Sequence, residues 1–150
     1  MYLKPWNLAI AAAVLGIAAM PHASAQSSCP SGFHRSVTAR ISTDAAHGVA
    51  LVRPDTACVA KNGRMNWKAT DGDSWATDFD DDAHSPFDAG KKHHEGKVAQ
   101  SGGDVVRTCA KTDASYNASA GGCVFKYKAT HVKNGKTSVK DPQVIIQPGS

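Results

Sequence analysis

The chain has 150 residues and a formal charge of +4. That length fits one domain and excludes a large multidomain enzyme. The basic excess is too mild and too dispersed for a nucleic-acid-binding protein, with Lys91-Lys92 the one adjacent lysine pair.

Residues 1–25 are laid out as a secretory signal peptide. Lys4 supplies the positive end, residues 8–20 are apolar and uncharged, and Ala23-Ser24-Ala25 matches a small-x-small cleavage site. The apolar run is too short for a spanning helix, which takes about 20 residues. Cleavage before Gln26 leaves one domain, residues 26–150, with no membrane anchor and a periplasmic or secreted location. Lys4 leaves with the leader, so the formal charge falls to +3. The mature part has one Leu and one Glu, so good helix formers are scarce. Val, Thr, Ser, Asp and Gly are plentiful, which favours strands and turns. Leu, Ile, Val and Phe make up about 15% of it, a thin core by the ~20% yardstick. The low net charge argues against disorder, so the core needs a supplement.

In chain order, a partly alternating strand is expected from Phe33 to Ile41, and another from Val49 to Arg53, ended by Pro54. Thr56 to Lys61 is a third, followed by Asn62-Gly63, a strong hairpin signal. Arg64 to Lys68 alternates, with Met65 and Trp67 on one face. Asp71-Gly72-Asp73 reads as a turn. Trp75, Thr77 and Phe79 share the inner face of the next strand. Residues 80–104 lack periodicity and read as a long loop, the kind that carries function. Asp104 to Cys109 regains strand character. Cys123, Phe125, Tyr127 and Ala129 share one face of the clearest strand, punctuated by Asn134-Gly135. Val144-Ile145-Ile146 is a last buried strand. About seven short strands between turns predict an all-β, antiparallel β-sandwich.

Cys29, Cys58, Cys109 and Cys123 form an even set behind an export signal, which reads as two disulfides. Three connectivities exist; Cys29–Cys58 with Cys109–Cys123 is the favoured one. The second would close a turn-rich loop and contribute about 3 kcal/mol in the chain-entropy model. No C-x-x-C spacing supports a zinc or redox site.

The order of these pieces resembles cupredoxin-like domains. Met65-Asn66-Trp67 after a glycine turn, the strand from Ser74 to Phe79, the strand from Gly122 to Ala129, and the closing Asp141-Pro142-Gln143-Val144-Ile145-Ile146 carry the resemblance over residues 49–148. It implies a Greek-key β-sandwich. The copper ligands do not carry over. A blue-copper site needs two His, a thiolate and commonly an axial Met. Ser74-Trp75 stands near the first His position, no Cys stands two or three residues before His131, and no Met follows Met65.

Chemistry-bearing residues concentrate in 78–95. Asp80, Asp82, His84, His93 and His94 are the candidate metal ligands. Carboxylate oxygens suit Ca²⁺, and His with carboxylate suits Zn²⁺ or Cu²⁺. The spacing departs from an EF-hand, with Ala83 at the glycine position and Ala89 at the final glutamate position. A solvated charged loop explains the same residues. No Gly-x-Ser-x-Gly or comparable motif marks a nucleophile. Trp67 and Trp75 can stack a sugar or peptide, or fill the core. Asn117-Ala118-Ser119 is a glycosylation sequon, silent behind a leader of bacterial style. The expected function is that of an exported, non-enzymatic binding or accessory module without a cofactor, acting on a protein or small ligand of the cell envelope. The alternative is a periplasmic metal-binding protein using the 78–95 segment.

Overall fold

Alternating apolar and polar side chains sort this chain into strands. In the computed structural model, which describes residues 28–81, 83–88 and 91–149, eleven strands and no helix occur among the described residues. The expected leader and the candidate ligand Asp82 lie outside them. The strands are β1 (His34–Thr43), β2 (Ala50–Arg53), β3 (Thr56–Ala69), β4 (Ser74–Asp78), β5 (His93–Lys97) and β6 (Ser101–Val105). They continue as β7 (Tyr116–Asn117), β8 (Gly122–Lys126), β9 (Lys128–Lys133), β10 (Lys136–Lys140) and β11 (Gln143–Ile146). One sheet has seven strands, ordered β2-β1-β3-β11-β8-β7 with β6 also on β3; the other has four, ordered β10-β9-β4-β5.

The chain is all-β, as its composition predicts, but it has eleven strands among the described residues against the expected seven or so, the strand expected from Asp104 to Cys109 ends at Val105, and four further details differ. The larger sheet is mixed, not antiparallel. Both β1 and β11 run parallel to β3, with Val37 opposite Met65 and Ile145 opposite Cys58. The reason is connectivity. β2 folds back on the outer edge of β1, so β3 returns along the inner edge in β1's direction. Second, Asn62-Gly63 makes no hairpin. It lies within continuous β3 as a bulge, where pairing with β1 jumps from His34↔Val59 to Ser36↔Arg64. Asn62 takes φ 59°, and a Cβ on Gly63 would stand 2.7 Å from the Ala60 carbonyl oxygen. The bulge lets one strand serve two neighbours, β11 along Thr56–Val59 and β6 along Arg64–Lys68.

Third, the segment 80–104 is not all loop. It contains β5 and most of β6, which sequence misses because most of their residues are exposed or glycine. Fourth, the strand around Tyr127 is two strands. β8 belongs to the larger sheet and β9 to the smaller, with Tyr127 between them. Cys123, Phe125, Tyr127 and Ala129 are all buried. Alternation therefore runs unbroken through the crossing. Asn134-Gly135 does form a tight hairpin, joining Lys133 to Lys136 with both turn residues at positive φ.

One core cluster draws side chains from both sheets. Trp67 from β3 meets Phe79, Phe87 and Tyr127 edge-on, at centroid distances of 6.1, 5.8 and 5.5 Å. Trp75 lies in a slot of glycines: a Cβ on Gly96 would be 2.9 Å from its Nε1, and one on Gly102 would be 2.8 Å from its ring. Its Nε1–H donates to the Gln100 carbonyl at 3.1 Å. Both tryptophans are therefore core, not stacking platforms. Cys29–Cys58 and Cys109–Cys123 are bonded, the pairing favoured from the sequence. Such bonds point to an oxidising compartment. No helix among the described residues is long and apolar enough to cross a membrane.

Candidate functional site

After β4 the chain leaves the sheets, and two buried side chains hold it down. Phe87, 1% exposed, packs on Trp67 and Phe79, a burial worth about 1.5–3 kcal/mol. Pro86 is buried beside it, and its carbonyl accepts the Arg107 backbone N–H at 2.8 Å. The Arg107 guanidinium lies 5.1 Å over the Phe125 ring and donates to the Ala83 carbonyl at 3.3 Å. Arg107 thus fastens the 83–86 segment to β8. What remains exposed, Asp80, Asp81, Ala83 and His84, stands up as a wall.

The opposite wall comes from the loop closed by Cys109–Cys123. Within it Asp113 accepts the Ala110 N–H at 2.8 Å, and Tyr116 donates its N–H to the Asp113 carbonyl at 2.9 Å. These turns deliver Ser115, Tyr116 and Asn117 to the edge of β8. Between the walls is a cleft of about 560 Å³, floored by Val124, Phe125 and Lys126. Asp80 and His84 line it, so two of the residues singled out in the sequence do meet in one site. Tyr116 and Lys126 line it without any sequence motif. The expected 109–123 disulfide was the signal that could have found Tyr116, because it folds that loop back beside β8.

The candidate metal residues are otherwise dispersed. His84 is held by its neighbour, Nδ1 lying 2.8 Å from Asp81 Oδ1, and its own N–H donates to the same oxygen. The His84 hydrogen bond keeps the Asp81 carboxyl below its usual range. His93 and His94 are successive strand residues and face opposite ways. His93 is outside, with Nδ1 2.6 Å from Asp78 and Nε2 3.4 Å from Glu95. The Asp78 hydrogen bond raises its pKa. His94 turns inward against Trp67 and Phe87, at 5.1 and 5.0 Å. Burial lowers its pKa and keeps the ring neutral. The one group of three ligand-type atoms within 4.8 Å among the described residues is Cys109, Asp113 and Cys123. Its sulfurs are joined to each other, and its carboxylate caps a turn.

His131 is the one fully buried histidine among the described residues, 0% exposed on β9. Its Nε2 is 2.7 Å from the Asp71 carbonyl oxygen, which can only accept, so Nε2 carries the proton. Nδ1 then accepts from the Thr43 hydroxyl at 2.7 Å. Lys133 donates to Asp71 Oδ2 at 2.6 Å and holds that carboxyl below its usual range. A hydroxyl, an imidazole and an acid are adjacent here, yet the ring is closed to solvent. The set ties β1 of one sheet to β9 of the other and to the turn between β3 and β4. Gly72 permits it, since a Cβ there would stand 2.5 Å from His131 Nε2.

No family model, no curated protein and no solved structure matches this chain.

Proposed function

We propose that the chain is an exported, non-enzymatic binding or accessory module of cupredoxin-like, Greek-key β-sandwich form. Residues 1–25 are its leader, residues 26–150 its one domain, and the periplasm or exterior its place of work. The cleft between Asp80–His84 and Ser115–Asn117 carries the reading. It is lined by the Asp80 carboxylate, the His84 imidazole, the Tyr116 side chain and the Lys126 ammonium, a set suited to holding a polar partner. The one hydroxyl–imidazole pair among the described residues, Thr43 with His131, is turned inward and serves packing. All four cysteines are in disulfides, which leaves no thiolate for blue copper.

The test uses the purified, oxidised protein, immobilised and exposed to cell-envelope extract. A component is retained, and His84→Ala with Lys126→Glu abolishes its retention. Retention unchanged by both substitutions, or catalytic turnover by the wild type, overturns the proposal. Metal binding by the 78–95 segment is the alternative, and His93 between Asp78 and Glu95 is the observation that favours it. Calorimetric titration with Zn²⁺, Cu²⁺ and Ca²⁺ decides. Binding tighter than about millimolar that His93→Ala removes supports it; weaker or unaffected binding eliminates it.

A further inference from the structure

The cleft is bordered by strand backbone as well as side chains, which bears on the class of partner it takes. β8 bonds to β11 through alternate residues, with Val144 opposite Phe125 and Ile146 opposite Cys123. The Tyr127 N–H donates to the Pro142 carbonyl at 3.1 Å and fixes the phase of that ladder. Val124 and Lys126, out of phase, turn their N–H and C=O groups to the other edge. There the Val124 N–H is taken by the Ser115 carbonyl at 2.8 Å. β7 pairs with Gly122 and Cys123 only, and beyond Ser115 the chain bends away through the Asp113 turn. The Val124 carbonyl and both backbone groups of Lys126 therefore border the cleft beyond the end of β7.

Resting on the reading of this cleft as the binding site, we infer that its partner is an extended peptide that adds as a strand to the edge of β8. Strand addition takes affinity from main-chain hydrogen bonds and selectivity from alternate side chains. The cleft suits this geometry. At about 3.4 Å per residue, three to four residues span the edge left free by β7. Charge sets the preferred sequence. Lys126 lies on the floor and Asp80 on the wall, so neighbouring acidic and basic side chains on opposite faces of the added strand find opposite charges. His84 is occupied by Asp81 and contributes shape.

The probe is the acetylated, amidated pentapeptide Thr-Glu-Lys-Val-Thr, titrated into the ¹⁵N-labelled oxidised protein. Saturable shifts are expected at the Val124 to Lys126 and Ser115 to Asn117 amides, with a Kd on the order of 1 mM. Two N-methylated isomers carry the sharper test, one blocked on the amides of its first, third and fifth residues, the other on those of its second and fourth. A strand bonds through one edge, so one isomer weakens about five- to tenfold and the other keeps the parent affinity. Equal affinity of both isomers, or no saturable shift with the parent, overturns strand addition. Parent binding that Lys126→Glu weakens while both isomers match it leaves the cleft as a binding site and removes only strand addition.

Discussion

Gly72→Ala attacks the link between the two sheets without removing a single existing contact atom. Gly72 has φ +87°, and a Cβ there would lie 2.5 Å from His131 Nε2 and 2.6 Å from the Val132 carbonyl oxygen. The ring has nowhere to retreat, because the Thr43 hydroxyl holds its other nitrogen at 2.7 Å. Two costs arise. A non-glycine residue at this positive φ costs about 1–3 kcal/mol. Losing the bond from Nε2 to the Asp71 carbonyl leaves buried polar groups unpaired, about 1–3 kcal/mol more. The expected loss is about 2–6 kcal/mol, against total stabilities of about 5–15 kcal/mol for small domains. Urea unfolding of the oxidised protein, followed by tryptophan fluorescence, measures it. Thr43→Ala supplies the control. Alone it costs about 1–2 kcal/mol; in the Gly72→Ala background it costs less, because the same ring is already displaced. A Gly72→Ala loss under about 1 kcal/mol, or strict additivity of the pair, refutes the role given to His131.

Three further outcomes are expected. Replacing Cys109 and Cys123 together by Ser lowers stability by about 3 kcal/mol, measured in the same urea assay; an unchanged midpoint contradicts the stapling role of that bond. Thr77→Val is neutral or stabilising by up to about 1 kcal/mol, because the Thr77 hydroxyl is buried without a hydrogen-bond partner; a clear loss of stability would mean that the hydroxyl is bonded. His93 titrates above its ordinary value of 6.5 because Asp78 bonds it, so the stability from that pair is complete below pH 6.5 and fades as pH rises through the folded pKa. Asp78→Asn should return the His93 imidazole shift to an ordinary midpoint by NMR and flatten that pH dependence; an unmoved midpoint refutes the pairing.

Much of the architecture was legible because alternation was intact. Trp75, Thr77 and Phe79 are buried as their spacing requires, and Val144-Ile145-Ile146 lies between β3 and β8. An even set of four cysteines behind an expected leader led to the two disulfides. The rest escaped for physical reasons. Asn62-Gly63 supplies positive φ, which a hairpin and a bulge both use, and only the pairing of distant strands decides between them. Tyr127 continues the inward spacing while the chain changes sheets, so no local signal marks the crossing. β5 and β6 are covered on few sides and carry glycines that make room for Trp75, which looks like loop composition. His131 occupies an ordinary inward position on β9; its partners Thr43 and Asp71 lie far away in sequence. For the cleft, Asp80 and His84 were visible as a charged segment, whereas its floor and opposite wall depend on where the 109–123 loop is folded.

Hydrogen exchange of the oxidised protein, with and without any envelope component that it is found to retain, tests the central claim most directly. Protection concentrated at residues 80–84, 114–117 and 124–126 is the predicted result. Protection at the outer face of the smaller sheet instead, around Ser74, Ala76, Thr130 and Val132, or no change at the cleft, would contradict it.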